Sequence, residues 1–352
     1  MYKEISPNIS QQAIHDILAK IESVVLGKPQ ECKLALACLL AQGHLLIEDL
    51  PGMGKTTLAH MLATTLGLSY QRMQFTSDLL PADVVGFSMF NNTDNSFELH
   101  KGPIFNQVVL ADEINRASPK TQSALLEAMA EGQVSIDGTT YDLPTPFFVI
   151  ATQNPLFHSG TYPLPESQLD RFMMRLSLGF PDLEAEKKIL LSHNGKNTTQ
   201  TKASQRGDNV IINEAGLLAM QQAVSEVNVS NDVLEYIIAL SHVSRSAYTD
   251  KPLIKANDNK AKSTRHTAID SIHCNPLSPR ASKALLSASK AIAFIDNRDY
   301  VLPDDVKEVF YVVCQHRLEQ NATQHFGHQN ELHNSLAQRI LNSVDVLNPL
   351  GH

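Results

Sequence analysis

The chain has 352 residues, 43% of them hydrophobic, with a formal net charge of −8 and an isoelectric point near 5.9. That length suits two or three domains with real cores, and the acidic balance argues against a dedicated nucleic-acid binder. Four scattered cysteines (Cys32, Cys38, Cys274, Cys314) form no CxxC pair, the start MYKEISPNIS has no apolar signal core, and no apolar run is long enough to span a bilayer; the expectation is a soluble, cytoplasmic protein with reduced thiols.

In chain order, residues 10–25 read as an amphipathic helix, with Ser10 as cap and Ile14, Ile17, Leu18, Ile21 and Val25 at helical spacing. A second helix is expected from about Gln30 to Gln42. The run HLLIE (His44 to Glu48), followed by Pro51 and Gly52, predicts a short buried strand, and Gly54 to Leu66 reads as a helix ended by Gly67. Residues 70–75 alternate like a strand, and 81–105 read as irregular. Gln107 to Ala111 predicts a strand running into Asp112 and Glu113. Ser118 starts a helix, with Pro119 suited to its first turn, and the helix ends near Gly132. Val134 to Leu143 reads as a hairpin turning at Asp137-Gly138, and Phe147 to Thr152 as another buried strand closed by Gln153-Asn154-Pro155. Strands alternating with helices predict an α/β fold, a parallel sheet covered on both faces.

After Phe180-Pro181 the pattern turns helical, at about 182–192, 213–227, 230–247, 279–296 and 303–318, so a domain boundary is expected near 181, dividing the chain into 1–181 and 182–352. Polar stretches at 193–209 and 249–275 read as loops. The second carries five Lys or Arg against one Asp between Lys251 and His266. A solvated loop, a docking segment and an anion-contacting surface all remain open for it. Cys274, His273 and His266 lack the second spaced pair that a metal site needs.

The stretch LLIEDLPGMGKTTLAH (Leu45 to His60) carries Gly54, Lys55 and Thr56, the end of a phosphate-binding pattern whose first glycine is replaced by Asp49. Such a loop works through backbone N–H groups and the positive end of the next helix. Pro51, Gly52, Met53, Gly54, Lys55, Thr56 and Thr57 would line it. Gly52 and Gly54 permit the tight turn, Lys55 reaches the outer phosphates of ATP, and the Thr56 hydroxyl ligates Mg²⁺. Asp112 at the end of its apolar strand fits the second Mg²⁺ ligand, and Glu113 the base that orients water.

Several ordered motifs now stand together: EDLPGMGKTTLA, KGPIF, ADEINRA, KTQSALLEAM, ATQNP and PESQLDRF, then SPRA and RDYVLPDD. In this combination the chain resembles the MoxR family of AAA+ ATPases, over residues 10–181 and again in the helical part. The resemblance implies a P-loop AAA+ core followed by a smaller all-helical lid, with insertions near 81–105 and 134–143 that face a client. It makes Asp49 a family trait and Asn154 the sensor 1 residue near the γ-phosphate. It makes Arg171 an arginine finger acting in the neighbouring subunit's site, and Arg280 a sensor 2 arginine contacting its own nucleotide; Arg116 stays undecided between a neighbour contact and a surface pair. It further implies a homo-oligomer, a hexameric ring, working as a chaperone-like ATPase with a von Willebrand factor A domain partner on client proteins. A magnesium-chelatase-like motor subunit and a non-hydrolysing ATP-binding scaffold are the alternatives. The GAFTGA loop of enhancer-dependent activators is absent. Where the family has a glycine shortly before its lid arginine, this chain has Asn275, Pro276 and Leu277.

Overall fold

A computed structural model of the chain describes residues 7–93, 95–154, 161–192, 210–249, 274–319, 335–346 and 349. The predicted polar loop at 193–209 and nearly all of that at 249–275 lie outside these residues. The chain packs as two compact units, Met1–Ala223 and Val224–His352. The change from alternating to purely helical elements at 181 is a cut by element type, whereas this is a cut by packing.

The first unit begins with α1 (Pro7–Glu22) and α2 (Pro29–Leu40). α1 starts ahead of the predicted Ser10 cap, since a proline fits a first helical turn, and buries Ile14, Ile17 and Ile21. β1 (Leu45–Glu48) is buried at every position and is followed by α3 (Lys55–Thr65) and β2 (Tyr70–Gln74).

Residues 81–105 are not irregular, as the sequence had indicated. They form α4 (Pro81–Val85), an antiparallel pair β3 (Gly86–Asn91) and β4 (Ser96–Lys101), and a 3-10 turn at Pro103–Phe105. Alternation is masked here because apolar side chains occupy both faces: Phe87 and Met89 on one, Phe90 opposite Phe97 on the other. All four are exposed, Phe97 by 74%. The base of the hairpin demands glycine, since a Cβ on Gly86 would lie 2.3 Å from the His100 carbonyl and one on Gly102 2.3 Å from that of Val84.

β5 (Val108–Asp112) leads through a 3-10 turn (Ile114–Arg116) to α5 (Pro119–Glu131), whose cap Ser118 accepts the Thr121 N–H. α5 buries Leu125, Leu126 and Met129, each stabilising by about 1.5–3 kcal/mol. The predicted hairpin appears as β6 (Gln133–Ile136) and β7 (Thr139–Asp142), with Asp137 and Gly138 at φ +50° and +80° in its turn. β8 (Phe148–Gln153), α6 (Glu166–Leu169), the short β9 (Met174–Leu176), α7 (Leu183–Ser192) and α8 (Glu214–Glu226) follow.

The five strands lie in the order β2-β5-β8-β1-β9, all parallel. Central strands covered on both faces explain the unbroken apolar runs of β1, β5 and β8. His44 is half-buried before β1. Its Nδ1 accepts the Val149 N–H (3.1 Å) and its Nε2 donates to the Met129 carbonyl (3.2 Å), while burial lowers its pKa to about 4, so the ring is neutral.

The second unit contains α9 (Asn231–Thr249), α10 (Pro279–Ile295), α11 (Pro303–Leu318) and α12 (Leu336–Ser343). The turn from α10 to α11 is fixed by Arg298, which donates to both oxygens of buried Asp305 (2.7 and 2.5 Å). Asp305 in turn accepts the Leu302 N–H (2.7 Å) at the start of α11. Among the described residues no helix is long and apolar enough to cross a membrane.

Candidate active site

The loop from Asp49 to Gly54 joins β1 to α3 at the carboxyl end of the sheet, where open α/β folds place ligands. Gly52 and Gly54 hold φ of +86° and +91°, and a Cβ on either would meet nothing within 4 Å. Conformation rather than crowding therefore demands glycine. No side chain caps α3, so its first N–H groups are offered to an anion. Lys55, the first residue of α3, is buried. Its ammonium donates to the Asp49 carbonyl (2.7 Å) and to Asn154 Oδ1 (3.1 Å). Burial lowers its pKa, against the opposing pull of Asp49, Asp112, Glu113 and Glu48. An ammonium has three donors, and these bonds commit two. Pro51 and Gly52 are exposed, and Met53, Gly54 and Thr56 half-buried, while Thr57 faces outward.

Asp49 occupies the glycine position of the strict pattern and does a different job. Its carboxylate accepts from Ser177 Oγ (3.0 Å), the Gly179 N–H (3.3 Å) and the Leu178 N–H. It thereby ties the loop's entrance to the segment leaving β9. Asp49→Gly completes the textual pattern yet orphans the buried Leu178 N–H and removes two part-buried bonds, so it is expected to destabilise the protein by about 1–3 kcal/mol. Denaturant midpoints of the two proteins check this, and equal midpoints would remove the tether.

Asp112 ends β5. Its Oδ1 accepts the Thr152 hydroxyl (2.6 Å), and its Oδ2 accepts Arg72 Nε (3.1 Å) and Nη2 (2.6 Å). Glu113 follows in the left-handed region, φ 56° and ψ 49°, which costs about 1–3 kcal/mol for a residue other than glycine. Its bonds offset that strain. The Glu113 N–H donates to Thr152 Oγ1 (2.9 Å), so one hydroxyl aligns both carboxylate residues. Oε1 accepts Asn154 Nδ2 (3.0 Å), and Oε2 accepts Gln74 Nε2 (2.9 Å) and Arg116 Nη1 (2.7 Å). Asn154 uses both halves of its amide, the oxygen on Lys55 and the nitrogen on Glu113.

Lys55, Asp112, Glu113 and Asn154 therefore meet at the ends of three adjacent strands, with Arg116 joined through Glu113. Arg171 follows α6, and its Nη1 donates to the Leu126 carbonyl of α5 (2.5 Å). Arg280 lies in the second unit, exposed on the first turn of α10 behind the cap Ser278. The residues that replace the family glycine are anchored to α9: the Leu277 N–H donates to Ser244 Oγ (3.0 Å) and Arg245 Nε to the Leu277 carbonyl (3.1 Å). Cys274 is buried, its thiol pushed up to about 11 by burial, and His266 and His273 lie outside the described residues. Sequence reasoning missed Thr152, Arg72 and Gln74. The last two sit two positions apart on β2 and so share a face, a polar pair that the alternation there could have flagged.

The Thr56 hydroxyl and the Asp112 carboxylate are hard oxygen donors, the type that magnesium takes alongside substrate phosphates. Among the described residues no group of three or more His, Cys, Asp or Glu side chains is placed to hold a metal. The donor set thus fits a magnesium ion shared with a nucleotide rather than one caged by protein.

Comparison with known proteins adds a second line. The description "ATPase family associated with various cellular activities (AAA)" matches residues 44–174, and "AAA lid domain" matches residues 273–334. The chain is 37% identical to Chaperone MoxR1 of Mycobacterium tuberculosis, across 85% of this chain and 74% of that protein. It is 39% identical to the uncharacterized protein YeaC of Bacillus subtilis, across 96% and 97%. Protein MoxR of Paracoccus denitrificans is 30% identical, across 86% and 87%. A crystal structure of a Cytophaga hutchinsonii protein described as an ATPase superposes with a TM-score of 0.77 at 33% identity, covering 98% of this chain and 96% of that one.

Proposed function

Because the chain belongs to the MoxR family of AAA+ ATPases, we propose that it binds ATP with Mg²⁺ on the loop from Pro51 to Thr57, hydrolyses it, and uses the cycle to remodel a client protein. The observation that carries this reading is the Asn154 bridge, which joins the Lys55 ammonium to the Glu113 carboxylate. One amide thus reports on both the phosphate-binding cation and the group that would orient water.

In this reading Lys55 neutralises the outer phosphates and Glu113 accepts the proton of the attacking water. In the free chain Oε2 of Glu113 takes Gln74 and Arg116, while Oε1 takes Asn154 alone, so Oε1 keeps a lone pair for the attacking water. Thr56 and Asp112 would hold the magnesium, which when bound neutralises phosphate charge. Arg280 in the lid would contact the nucleotide of its own subunit, and Arg171 the site of a neighbour in a hexameric ring. The nucleotide-binding domain is taken as 1–181 and the lid as 182–352.

The client side rests on the exposed apolar residues of the β3–β4 hairpin. Phe87, Met89, Phe90 and Phe97 crowd the exposed surface of a short two-stranded ribbon, and such patches mark interaction sites. The relative named as a chaperone supports the same role. A partner with a von Willebrand factor A domain and a part in maturing client enzymes complete the proposal.

The test is ATP turnover per subunit across protein concentration. Specific activity is expected to climb with concentration as shared sites form. Tight ATP binding with no turnover at any concentration would replace this reading with a scaffold.

A further inference from the structure

The polypeptide just after Glu113 holds both Asn154 and Tyr162. Asn115 Nδ2 donates to the Asn154 carbonyl (3.3 Å). The Tyr162 N–H donates to the Asn115 carbonyl (2.6 Å), and Gln122 Nε2 donates to the Tyr162 carbonyl (3.0 Å). Gln122 also reaches the carbonyls of Ile114 and Ala117 (3.2 Å each). Three acceptors around one amide nitrogen fix its orientation.

Both side chains are fully buried, 1% and 0% exposed. Among the described residues neither amide oxygen, Asn115 Oδ1 nor Gln122 Oε1, has a partner, so what these two side chains supply here is donors. An apolar side chain of similar size could not supply them.

Gln122 belongs to α5, and α5 has a second set of bonds. Ser123 Oγ accepts Gln168 Nε2 (3.2 Å) and the Leu126 carbonyl accepts Arg171 Nη1 (2.5 Å). Gln122 and Leu126 lie one helical turn apart, about 6 Å along the axis, in a helix anchored by buried Leu125, Leu126 and Met129. One rigid rod thus holds the turn at Ile114, whose neighbour Asn115 bonds Asn154, and, a turn later, bonds Arg171.

We propose that Asn115 and Gln122 are positioning residues that set Asn154 against Lys55 and Glu113, and that α5 carries their position on to Arg171. The inference rests on the nucleotide reading above, in which Asn154 serves its own site and Arg171 the next one. Occupancy of one site then biases the arginine presented to its neighbour, through a continuous bonded path rather than by proximity.

Hydrogen–deuterium exchange on the full chain, with and without ADP and magnesium, tests the link. In the wild type, nucleotide should protect the peptide spanning 50–58 and also change exchange across 166–172. In Gln122→Met, 50–58 should still be protected and the unfolding midpoint held, while the response at 166–172 falls by about fivefold or more. An undiminished response at 166–172 in that variant overturns the link. So does wild-type protection at 50–58 with none of the expected change at 166–172. Loss of protection at 50–58 in the wild type overturns the nucleotide reading itself, and the link with it. If Gln122→Met does not fold, Asn115→Asp decides the matter. It keeps the shape, removes the donor to Asn154, and should lose the 166–172 response; a response equal to the wild type's overturns the link.

Discussion

Glu113→Gln is expected to bind ATP as the parent does and to turn it over about 10²–10⁴-fold more slowly, the usual contribution of a positioned base. The substitution keeps the size of the side chain and its reach to Asn154, whose Nδ2 still finds an oxygen at the Oε1 position. It removes the acceptor at the Oε2 position, where Gln74 and Arg116 both donate. An amide nitrogen there would face two donors, so those side chains must turn away or the new amide must flip. Neither change touches the bond of Lys55 to the Asp49 carbonyl or the glycines of the loop, which is why binding should survive. Equilibrium titration with ATP, paired with phosphate release, separates the two effects. Turnover within a few-fold of the parent would remove Glu113 from the role of base. Loss of binding would instead show that the Glu113 charge is needed to hold the nucleotide as well as to turn it over.

The parts of this site that could be read in the sequence are those with local signatures. Gly52, Gly54 and Lys55 announce themselves because a turn with positive φ before a helix admits few residue types. β5 and β8 are legible because a strand buried on both faces must be apolar throughout, and a polar residue at its end then stands out. The hairpin at 134–143 was visible through Asp137-Gly138, which fits the turn it makes. The hairpin β3–β4 was not, since aromatic residues on both faces erase the alternation that marks a half-buried strand. β9 is three residues long, too short for any period to register. Arg72, Gln74 and Thr152 escaped for a different reason. Their work depends on the register of β2 against β5, which sets Gln74 beside Asp112, and on β8 lying next to β5. Those pairings join residues about forty positions apart in the chain, and nothing in the local pattern encodes them. Asp49 is the instructive case. As a deviation from the strict pattern it read only as a family trait, while in the fold it accepts bonds from Ser177, Leu178 and Gly179 that glycine could not.

Arg171→Ala is expected to bind ATP yet lose about 10³–10⁵-fold in turnover, the range for removal of an arginine that offsets charge on a transferred phosphoryl group. Loss of fold is not the expected cause. Among the described residues Arg171 donates one side-chain bond, to the Leu126 carbonyl, and losing such a bond costs about 1 kcal/mol. The stronger prediction concerns mixtures. Lys55→Ala subunits keep Arg171 but bind no nucleotide, whereas Arg171→Ala subunits bind nucleotide but lack the arginine. Each is inactive alone. In a ring built on head-to-tail contacts, random mixing in equal parts places an intact loop against an intact arginine at about one quarter of the interfaces. Turnover should therefore return in the mixture and scale with the product of the two fractions. An arginine that served its own chain would leave every such mixture silent, because no single subunit would then hold both Lys55 and Arg171. Recovery on mixing would also fix the direction of the α5 path, since the arginine that α5 holds would be spent on the site next door.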